Sequence, residues 1–599
     1  MLHGDYKILA RIIANRLKPV LQEISNPHQH CGIPGTTVFD AVATIRDAIA
    51  YAETKKVPLC AVSLDFKSAF DKISHTYLQE ILQTYGFGSL FVERLMGLYK
   101  NAASEVQING FRSNPIPIRS SIRQGCPLSM QLYTLCLNPL LHKLDEELAG
   151  VRIGRGRTKT VSVAYADDVT VLLTTPDDVQ KLQDIVHTYE EAAGAKINMQ
   201  KSRALDVGGW DATRQIMNIP YQTEMKVLGF KFGNKINIAS RATWCNIINQ
   251  VRAAAQDAYY RELSLDMRIQ YVHNYLLAKI WYAAQIFPIT TDGIRRLNTT
   301  IAWFLWRGEI FRVPLTTLQR GRNEGGWELV NVWAKSRSLF LNRIQAQGQH
   351  GDTLTTSWLR KWDLQTGSAN PPYPGRIPAT IGYLRIYTTE VAYIQRRGTN
   401  ENEKAYKQRI YTTLRTMDKM NNSNLEMRIT KLWPQADWEM IWENLRVAPA
   451  PGTVIATWYK VIHDIIPTNT RLHRIHMSST ESCTACGNRD TLLHRLTECG
   501  EGSATWYQTR NLIATIMRTT PARIPSEWLI RPQFHLWPAQ RHRAVLWIIA
   551  RYINFRMQHP CTLTKQELMD YMRRSRWKTY RRPNRARLVA NFLKVLDPP

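Results

Sequence analysis

The sequence has no long apolar run, no dense set of cysteines and no leader-like start. No apolar run approaches the ~18 residues that a membrane-spanning helix needs, so we expect no membrane partner. Nine cysteines scattered over 599 residues do not make a disulfide framework. Residues Met1–Asp5 lack the charged and then apolar layout of a signal peptide. These absences predict an intracellular protein in a reducing environment.

Acidic residues are also scarce relative to basic ones. Asp and Glu number 49 against 78 Lys and Arg, which gives a formal net charge of +29. An excess of this size is typical of proteins that bind phosphate backbones, although a membrane-surface or ribosomal partner would fit it too. The length leaves room for about four domains, and 44% hydrophobic residues supply ample core.

Two of the acids stand side by side at one turn. Tyr165-Ala166-Asp167-Asp168 separates two alternating, β-branched runs, 161–165 and 169–173. This pattern predicts a β-hairpin with two carboxylates at its tip. Because adjacent carboxylates repel each other, such a tip is suited to holding a cation. A solvated turn with two acids is the alternative interpretation.

A third acid, Asp65, indicates a chemical role for the pair of Asp167 and Asp168. The apolar run Leu59–Leu64 predicts a buried strand, and Asp65 follows at its end. Aspartates from two strand ends would offer hard oxygen ligands to two Mg²⁺ ions. Two such ions ~4 Å apart activate an attacking hydroxyl and stabilise a leaving group in an in-line displacement. Although Asp65 alone would be interpreted as a turn cap, the set of Asp65, Asp167 and Asp168 predicts nucleotidyl transfer.

Seven segments follow one another in a characteristic order. They are Tyr6–Leu17, Pro34–Asp40, Asp65–Asp71, Arg123–Ser129, Tyr165–Asp168, Gly194–Asn198 with Lys201-Ser202, and Val227–Phe230. The first two resemble the fingers motifs, and the other five the palm motifs A to E, of the reverse transcriptases of non-LTR (LINE-type) retrotransposons. The resemblance covers about residues 5–232, with weaker similarity to about residue 500. The resemblance implies an α+β right-hand polymerase with partial fingers, an antiparallel palm sheet and a helical thumb. It also implies RNA-directed DNA synthesis from dNTPs on an RNA template, with a DNA primer or target DNA and Mg²⁺ on the three aspartates.

The resemblance further implies roles for side chains around the aspartates. The residues expected to contact nucleotide or template are Phe66, Phe70, Arg123, Gln124, Gly125 and Lys201. Phe70 would exclude a 2′-hydroxyl, with core packing as the alternative. Gln124 offers a two-sided amide, and Gly125 permits close backbone approach. Lys201 would protonate the pyrophosphate as a general acid, with a solvated lysine as the alternative.

Downstream, Cys483-x₂-Cys486-x₇-His494-x₄-Cys499 has the ligand types and spacing of a structural Cys₃His zinc site. All four positions are filled, so we expect one structural Zn²⁺. Unconnected cysteines are the alternative, and His463, His473 and His476 are possible competing ligands. The spacing is similar to the Cys-Cys-His-Cys element that follows LINE-type polymerases, which disfavours an intron-encoded maturase-type enzyme.

Some features depart from the family. Thr36 stands where an Arg is usual, Met130 stands where Pro often follows Leu-Ser, and 64 residues precede Asp65, so the start of the fingers is expected to be missing. A catalytically impaired remnant that only binds RNA or DNA is therefore the alternative function. After Cys499 acids are few and scattered, so we expect any endonuclease to come from another chain or from a missing N-terminal domain.

The expected domains are partial fingers and palm at 1–235 and a helical thumb and connection at 236–364. A linker and helical region at 365–450, a zinc-binding region at 451–505 and a basic C-terminal region at 506–599 follow. The thumb prediction rests on one helical face, formed by Ile294, Leu297, Ile301, Phe304 and Leu305. Gly367–Pro374 is the linker candidate. Residues 571–599 hold nine Lys or Arg against Asp597, which fits nucleic-acid binding or nuclear import. A ribonucleoprotein in nucleus and cytoplasm is the expected location.

Overall fold

The computed structural model describes residues 4–152, 159–349, 401–421, 433–558 and 565–579. The chain divides into two compact units. The first comprises Met1–Asn246, Trp281–Ile289 and Ser336–Tyr411, and the second comprises Ile247–Ile280, Thr290–Lys335 and Thr412–Pro599. None of the helices in these described ranges is long and apolar enough to cross a membrane.

The strands found among the described residues are short and lie in the first unit. In chain order they are β1 Leu59–Leu64, β2 Ala103–Ser104, β3 Gln107–Ile108, β4 Phe111–Arg112, β5 Ile116–Pro117, β6 Val151–Arg152, β7 Lys159–Thr160, β8 Ser162–Tyr165, β9 Asp168–Leu173, β10 Arg203–Val207, β11 Glu224–Val227 and β12 Phe230–Gly233. β10, β1, β9 and β8 form a four-stranded antiparallel sheet in that order. The remaining strands form two-stranded ribbons.

Helices make up most of the rest of the described chain. In the first half they are α1 Gly4–Ile24, α2 Val38–Lys55, α3 Ala69–Lys72, α4 His75–Thr84, α5 Ser89–Gly97, α6 Ser129–Glu147, α7 Asp177–Ala193, α8 Ile236–Asp257, α9 Leu265–Tyr271, α10 Ala278–Ala283 and α11 Thr291–Trp306. They continue with α12 Leu315–Leu318, α13 Val332–Gln349, α14 Glu403–Asn421, α15 Trp438–Val447, α16 Gly452–Ile462, α17 Asn469–Arg474, α18 Glu501–Met517, α19 Ala539–Gln558 and α20 Lys565–Thr579. Short π-helical turns cover Val272–Leu276 and His494–Glu498, and 3₁₀ turns cover Arg322–Glu324, Pro521–Arg523 and Ser526–Leu529.

The sheet of the first unit lies in one continuous core. β1 is central and almost wholly buried, as expected for an apolar, β-branched run. Side chains of α6 and α7, such as Leu135 and Leu182, share this core with Val62 and Val169. The strand predicted at Leu59–Leu64 is confirmed, and so is the α+β class. The assignment of palm, fingers and thumb, like the five domain bounds, stays a prediction.

The segment resembling motif E forms a tight hairpin between β11 and β12. Both turn residues, Leu228 and Gly229, have positive φ, at 49° and 85°, which is the backbone of a type I′ turn. Tyr282 donates a hydrogen bond to the Leu228 carbonyl (2.7 Å) and stacks on Phe230. These contacts lie within the first unit.

The helix on which the thumb prediction rests, α11, lies in the second unit. α11 buries Ile294, Leu297, Ile301, Phe304 and Leu305, so the predicted apolar face is confirmed. The linker candidate Gly367–Pro374 and residues 580–599 of the basic tail lie outside the described residues.

Candidate catalytic and zinc sites

The three aspartates converge because of the register of the central sheet. β1 pairs with β9 so that Leu64 lies opposite Val169, and the next position therefore places Asp65 opposite Asp168. β8 and β9 form a hairpin closed by the pair of Tyr165 and Asp168, with Ala166 and Asp167 as its two turn residues. The predicted hairpin is confirmed, and its tip stands beside the end of β1.

A buried glutamine that the sequence analysis missed supports this turn. Gln29 Oε1 accepts hydrogen bonds from the backbone N–H of Ala166 (3.3 Å) and of Cys31 (2.9 Å). The same segment pairs with β8, because His28 and His30 exchange backbone hydrogen bonds with Ala164. Ala166 has a φ of 57°, which a residue with a side chain rarely adopts. The Gln29 contacts compensate this strain and fix the direction of the turn.

The site carries uncompensated negative charge. Burial raises the pKa of the Asp168 carboxyl, and the negative charges of Asp167 and Asp65 raise that pKa further. In the part of the chain that the structure describes, no basic side chain forms an ion pair with any of the three. Clustered carboxylates without a cationic partner fit the oxygen ligands that Mg²⁺ takes.

The segment resembling motif D holds the backbone around Asp65. Ser202 Oγ accepts a hydrogen bond from the Asp65 N–H (3.0 Å), and the Asp65 carbonyl accepts one from Asn198 (2.7 Å). The backbone pairing of the two segments continues at Lys67, whose N–H donates to the Lys196 carbonyl (2.7 Å). Lys201 itself is exposed, so its predicted role as a proton donor stays a prediction.

The two phenylalanines of motif A have different surroundings. Phe66 is 7% exposed, and its ring meets the edge of Tyr189 at 6.1 Å between centroids. Phe70 is half-buried and stacks on Tyr133 at 4.7 Å and 28°. Phe70 thus packs one ring face against Tyr133 at the edge of the core, whereas the ring of Phe66 lies within the core. Nucleotide contact by either residue stays a prediction.

The first residues of motif B lie beside motif A, and Gln124 and Gly125 are exposed. Arg123 packs its guanidinium over the rings of Tyr6 (4.9 Å) and Tyr99 (5.7 Å). Gln124 Nε2 donates to the Asp71 carboxylate, 3.2 Å from Oδ2. Gly125 has a φ of 77° and open space where a Cβ would stand. Backbone conformation rather than crowding therefore requires this glycine.

The four predicted zinc ligands meet in the second unit. Their ligand atoms all lie within 4.8 Å of one another, with 3.6 Å between the sulfurs of Cys483 and Cys499 and 3.2 Å between Cys486 Sγ and His494 Nε2. Tetrahedral Zn–S bonds of about 2.3 Å separate two sulfurs by roughly 3.8 Å. The observed spacing therefore fits a Cys₃His zinc site.

Two turns bring these ligands together. After the first cysteine pair, Gly487 adopts a φ of 74° and donates to the Cys483 carbonyl (2.9 Å). On the other side, a π-helical turn ends where Cys499 N–H donates to the His494 carbonyl (2.9 Å). Glu498 places a carboxylate oxygen 3.6 Å from His494 Nδ1, the kind of partner that orients a metal-binding imidazole.

The thiols of the cluster differ in acidity. Burial opposes ionisation of Cys483, but backbone N–H groups of Ala485 and Cys486 and the His494 side chain outweigh it and lower its pKa to about 6. Burial, followed by the interactions with Cys483 and Cys486, raises the pKa of Cys499 to about 12. One thiolate is thus favoured at neutral pH before any cation binds.

The competing histidines do not join the cluster. His463 is buried, with its ring 5.3 Å from Trp442 and 4.5 Å from Tyr459. Burial, followed by the charge of Arg320, lowers the pKa of His463 to about 3. Among the described residues, the metal-type cluster here consists of the four predicted ligands, without His473 or His476.

Several known proteins are similar to this chain in sequence. Residues 1–232 match the family described as Reverse transcriptase (RNA-dependent DNA polymerase). The chain is 31% identical over 410 residues to the Transposon TX1 uncharacterized 149 kDa protein of Xenopus laevis, which covers 66% of this chain and 31% of that protein. It is 23% identical over 353 residues to the Pol polyprotein of the type-2 retrotransposable element R2DM of Drosophila melanogaster, covering 56% and 32%.

The chain therefore spans about a third of the length of these two relatives. A solved telomerase from Candida Tropicalis, in complex with a fragment of telomeric RNA, is 12% identical with a TM-score of 0.33, covering 68% of this chain and 57% of that one. That score is below the level at which two folds count as the same. Residues 1–232 of this chain are therefore similar to reverse transcriptases, and a longer part of it is similar to proteins of a transposon and of a retrotransposable element.

Proposed function

We propose that the protein is an RNA-directed DNA polymerase that joins dNTPs to a primer 3′-hydroxyl. The observation that carries this proposal is the convergence of Asp65, Asp167 and Asp168 at one end of the sheet, within the reverse transcriptase domain. The strand register brings Asp65 to Asp168 from a segment about a hundred residues away. Two solvated acids in a turn would not need a third carboxylate from so distant a segment.

The carboxylates are suited to a pair of divalent cations. Two Mg²⁺ ions bound there would activate the 3′-hydroxyl and stabilise the leaving pyrophosphate. The chain's own contribution is to fix the oxygen ligands in place. Asn198 and Ser202 hold the backbone of Asp65, and Gln29 holds the turn that carries Asp167. Holding ligands on rigid strands and turns reduces the reorganisation that catalysis would otherwise require.

Residues beside the carboxylates would select the substrate. Phe70, supported by the ring of Tyr133, would occupy the space that a 2′-hydroxyl needs and so favour dNTPs over rNTPs. Gln124, held by Asp71, would present its amide to the incoming nucleotide or to the template. Lys201 would supply a proton to the pyrophosphate from the exposed end of motif D.

The remainder of the chain would serve nucleic-acid binding. A net charge of +29 supports binding to an RNA template and a DNA primer or target DNA. The Cys483–Cys499 cluster would hold one structural Zn²⁺ that stabilises its two turns. An endonuclease, where the reaction needs one, would act from another chain or domain, and the protein would work as a ribonucleoprotein in nucleus and cytoplasm.

Primer extension tests the function directly. The purified chain, given an RNA template, an annealed DNA primer, dNTPs and Mg²⁺, should extend the primer, and Asp167→Asn should reduce the rate by at least about 100-fold. Asp211→Asn is the matched control, because Asp211 is an exposed aspartate of the same unit whose partners are Thr213 and Arg214. Extension by Asp167→Asn at the wild-type rate would refute the metal assignment. A wild-type chain that binds RNA and DNA but extends nothing would instead identify an inactive remnant.

A further inference from the structure

A tryptophan in the second unit, Trp537, is unusually exposed. Its side chain is 82% exposed, whereas Trp458 and Trp547 of the same unit are buried. It stands just before α19, at the end of the segment that follows the 3₁₀ turn Ser526–Leu529. An indole left in water forfeits the free energy of burial, which for a large aromatic side chain is substantial. Such a residue is typical of a binding surface.

The exposure of Trp537 does not come from a loose segment. Asn444 Nδ2 donates to the carbonyls of Pro532 (2.6 Å) and Phe534 (2.8 Å), and Asn444 Oδ1 pairs with His542 Nε2 (2.7 Å). Phe534 also stacks on Trp528 at 4.2 Å. The chain is therefore anchored on both sides of Trp537, and the indole is presented on a fixed support. Fixing a side chain before binding lowers the entropy cost of binding.

Positive charge surrounds this tryptophan in the sequence. Residues 518–543 contain a single acid, Glu527, and five arginines, which are Arg518, Arg523, Arg531, Arg541 and Arg543. Arg531 packs over Trp433 (3.9 Å). Arg523 and Arg543 are exposed, and within the described residues neither their guanidinium groups nor that of Arg541 form an ion pair. Glu443 is the acid on α15 that acts on neighbouring His542. We call the solvent-exposed residues of 518–543 the Trp537 surface.

We propose that the Trp537 surface binds single-stranded RNA. Trp537 would stack on an unpaired base, and Arg541 and Arg543 would contact the adjoining phosphates. Aromatic faces among arginines suit single strands, because a base in a duplex has no free face to offer. The exposed arginines of this segment outnumber its single acid, which favours a polyanion over an apolar protein partner. The choice of RNA rests on the proposed function, since the template is the single strand that such a polymerase uses. The surface lies in the second unit, outside residues 1–232.

Binding of a short labelled RNA without secondary structure tests the proposal. The full chain is titrated by fluorescence anisotropy without dNTPs or added Mg²⁺, so no polymerisation contributes to the signal. Trp537→Ala should weaken RNA binding about tenfold, the effect of losing one stacked base. Trp537→Phe should retain most of the affinity because it keeps an aromatic face. Trp537→Leu, which keeps only apolar bulk, should bind as weakly as the alanine variant.

The arginines are tested by salt dependence. Arg541→Gln/Arg543→Gln should lower the slope of log affinity against log salt by about 1.4, which corresponds to two phosphate contacts on a single strand. The control Arg214→Gln/Arg295→Gln makes the same change in net charge at arginines that are ion-paired with Asp211 and Asp292. It should leave the slope unchanged. Equal slopes for the two double variants would refute a specific contact by Arg541 and Arg543.

Two outcomes would overturn the proposal as a whole. One is wild-type RNA affinity in Trp537→Ala, and the other is a loss that affects only single-stranded DNA. Thermal unfolding shows whether each variant folds, and an exposed site should leave the melting temperature unchanged. The result is independent of the proposed polymerase activity. If the chain extends no primer, its RNA affinity can still depend on Trp537. Conversely, primer extension can persist in a chain whose RNA affinity is unchanged by substitution of Trp537.

Discussion

The carboxylate of Asp71 accepts a hydrogen bond from the side-chain amide of Gln124, with Oδ2 and Nε2 separated by 3.2 Å. Ser121 Oγ also lies 3.4 Å from Asp71 Oδ1. Because a carboxylate only accepts, the nitrogen of the Gln124 amide must face Asp71, which leaves the amide oxygen directed away. From the sequence, the Gln124 amide was expected to offer both a donor and an acceptor. Its contact with Asp71 fixes one orientation, in which the amide oxygen remains available as an acceptor.

We expect Asp71 to position Gln124 for nucleotide binding. Asp71→Ala should raise the KM for dNTP about threefold to tenfold, the range for losing one charge-assisted hydrogen bond at an exposed site. kcat should change less, because the carboxylates that catalyse transfer are untouched. Steady-state primer extension at varied dNTP concentration measures both constants.

A double-mutant comparison separates positioning from a direct role of Asp71. If Asp71 acts only through Gln124, then Asp71→Ala/Gln124→Ala should be no worse than Gln124→Ala alone. Additive increases in KM would contradict this. Asp211→Asn again serves as the control, because its carboxylate is held by Thr213 and lies outside the motifs.

The stack of Phe70 on Tyr133 leads to a prediction about sugar selection. Phe70→Ala should increase rNTP incorporation relative to dNTP by roughly tenfold or more, since it empties the space next to the 2′ position. Tyr133→Phe is the matched control, because it keeps the supporting ring and removes only the hydroxyl. Unchanged discrimination in Phe70→Ala would show that Phe70 is a core residue and not a gate.

Local sequence patterns predicted much of this architecture. The strand Leu59–Leu64 and the hairpin around Ala166 are confirmed because their apolar runs and turn are short-range features. The zinc cluster could also be predicted from the sequence, because its ligands lie within 17 consecutive residues, from Cys483 to Cys499. In each case the residues that determine the structure are neighbours in the chain.

Contacts between distant segments left no such pattern. Gln29 supports Ala166 across 137 residues, and Asp71 meets Gln124 across 53. A single buried glutamine or an exposed aspartate has no periodicity that would reveal its partner. Asp71 was noticed as the last residue of motif A, but its role in orienting Gln124 depends on how the segments pack in three dimensions.

Burial of its carboxyl, together with repulsion from Asp167 and Asp65, predicts that Asp168 destabilises the protein when no divalent cation is present. Its raised pKa means that the native state binds protons more tightly than the unfolded chain does. Stability should therefore fall as pH rises above about 3.9, the ordinary value for Asp, through the raised pKa, and the penalty should be complete above that pKa.

Asp168→Asn should thus raise the melting temperature at pH 7 in the absence of Mg²⁺, while it abolishes primer extension. The gain should be at most about 1 kcal/mol, because the carboxyl is only partly withdrawn from water and solvent still screens its charge. Added Mg²⁺ should stabilise the wild type more than the variant, since binding to the native state adds stability. Asp211→Asn should show no gain, because hydrogen bonds from Thr213 lower the pKa of Asp211. A destabilised Asp168→Asn protein at pH 7 without Mg²⁺ would contradict the repulsion argument.

The sulfur spacing between Cys483 and Cys499 predicts one bound zinc ion per chain. Cys486→Ser should lose that ion and weaken the second unit, because binding of a structural zinc contributes on the order of 10 kcal/mol to folding in small modules. Cys245→Ser is the matched control, since Cys245 is an exposed cysteine outside the cluster. His463→Phe should keep the metal, because His463 packs against Trp442 and Tyr459. Elemental analysis measures the bound zinc, and thermal unfolding with and without chelator measures its effect on stability. Zinc retained by Cys486→Ser at the wild-type level would refute the assigned ligand set.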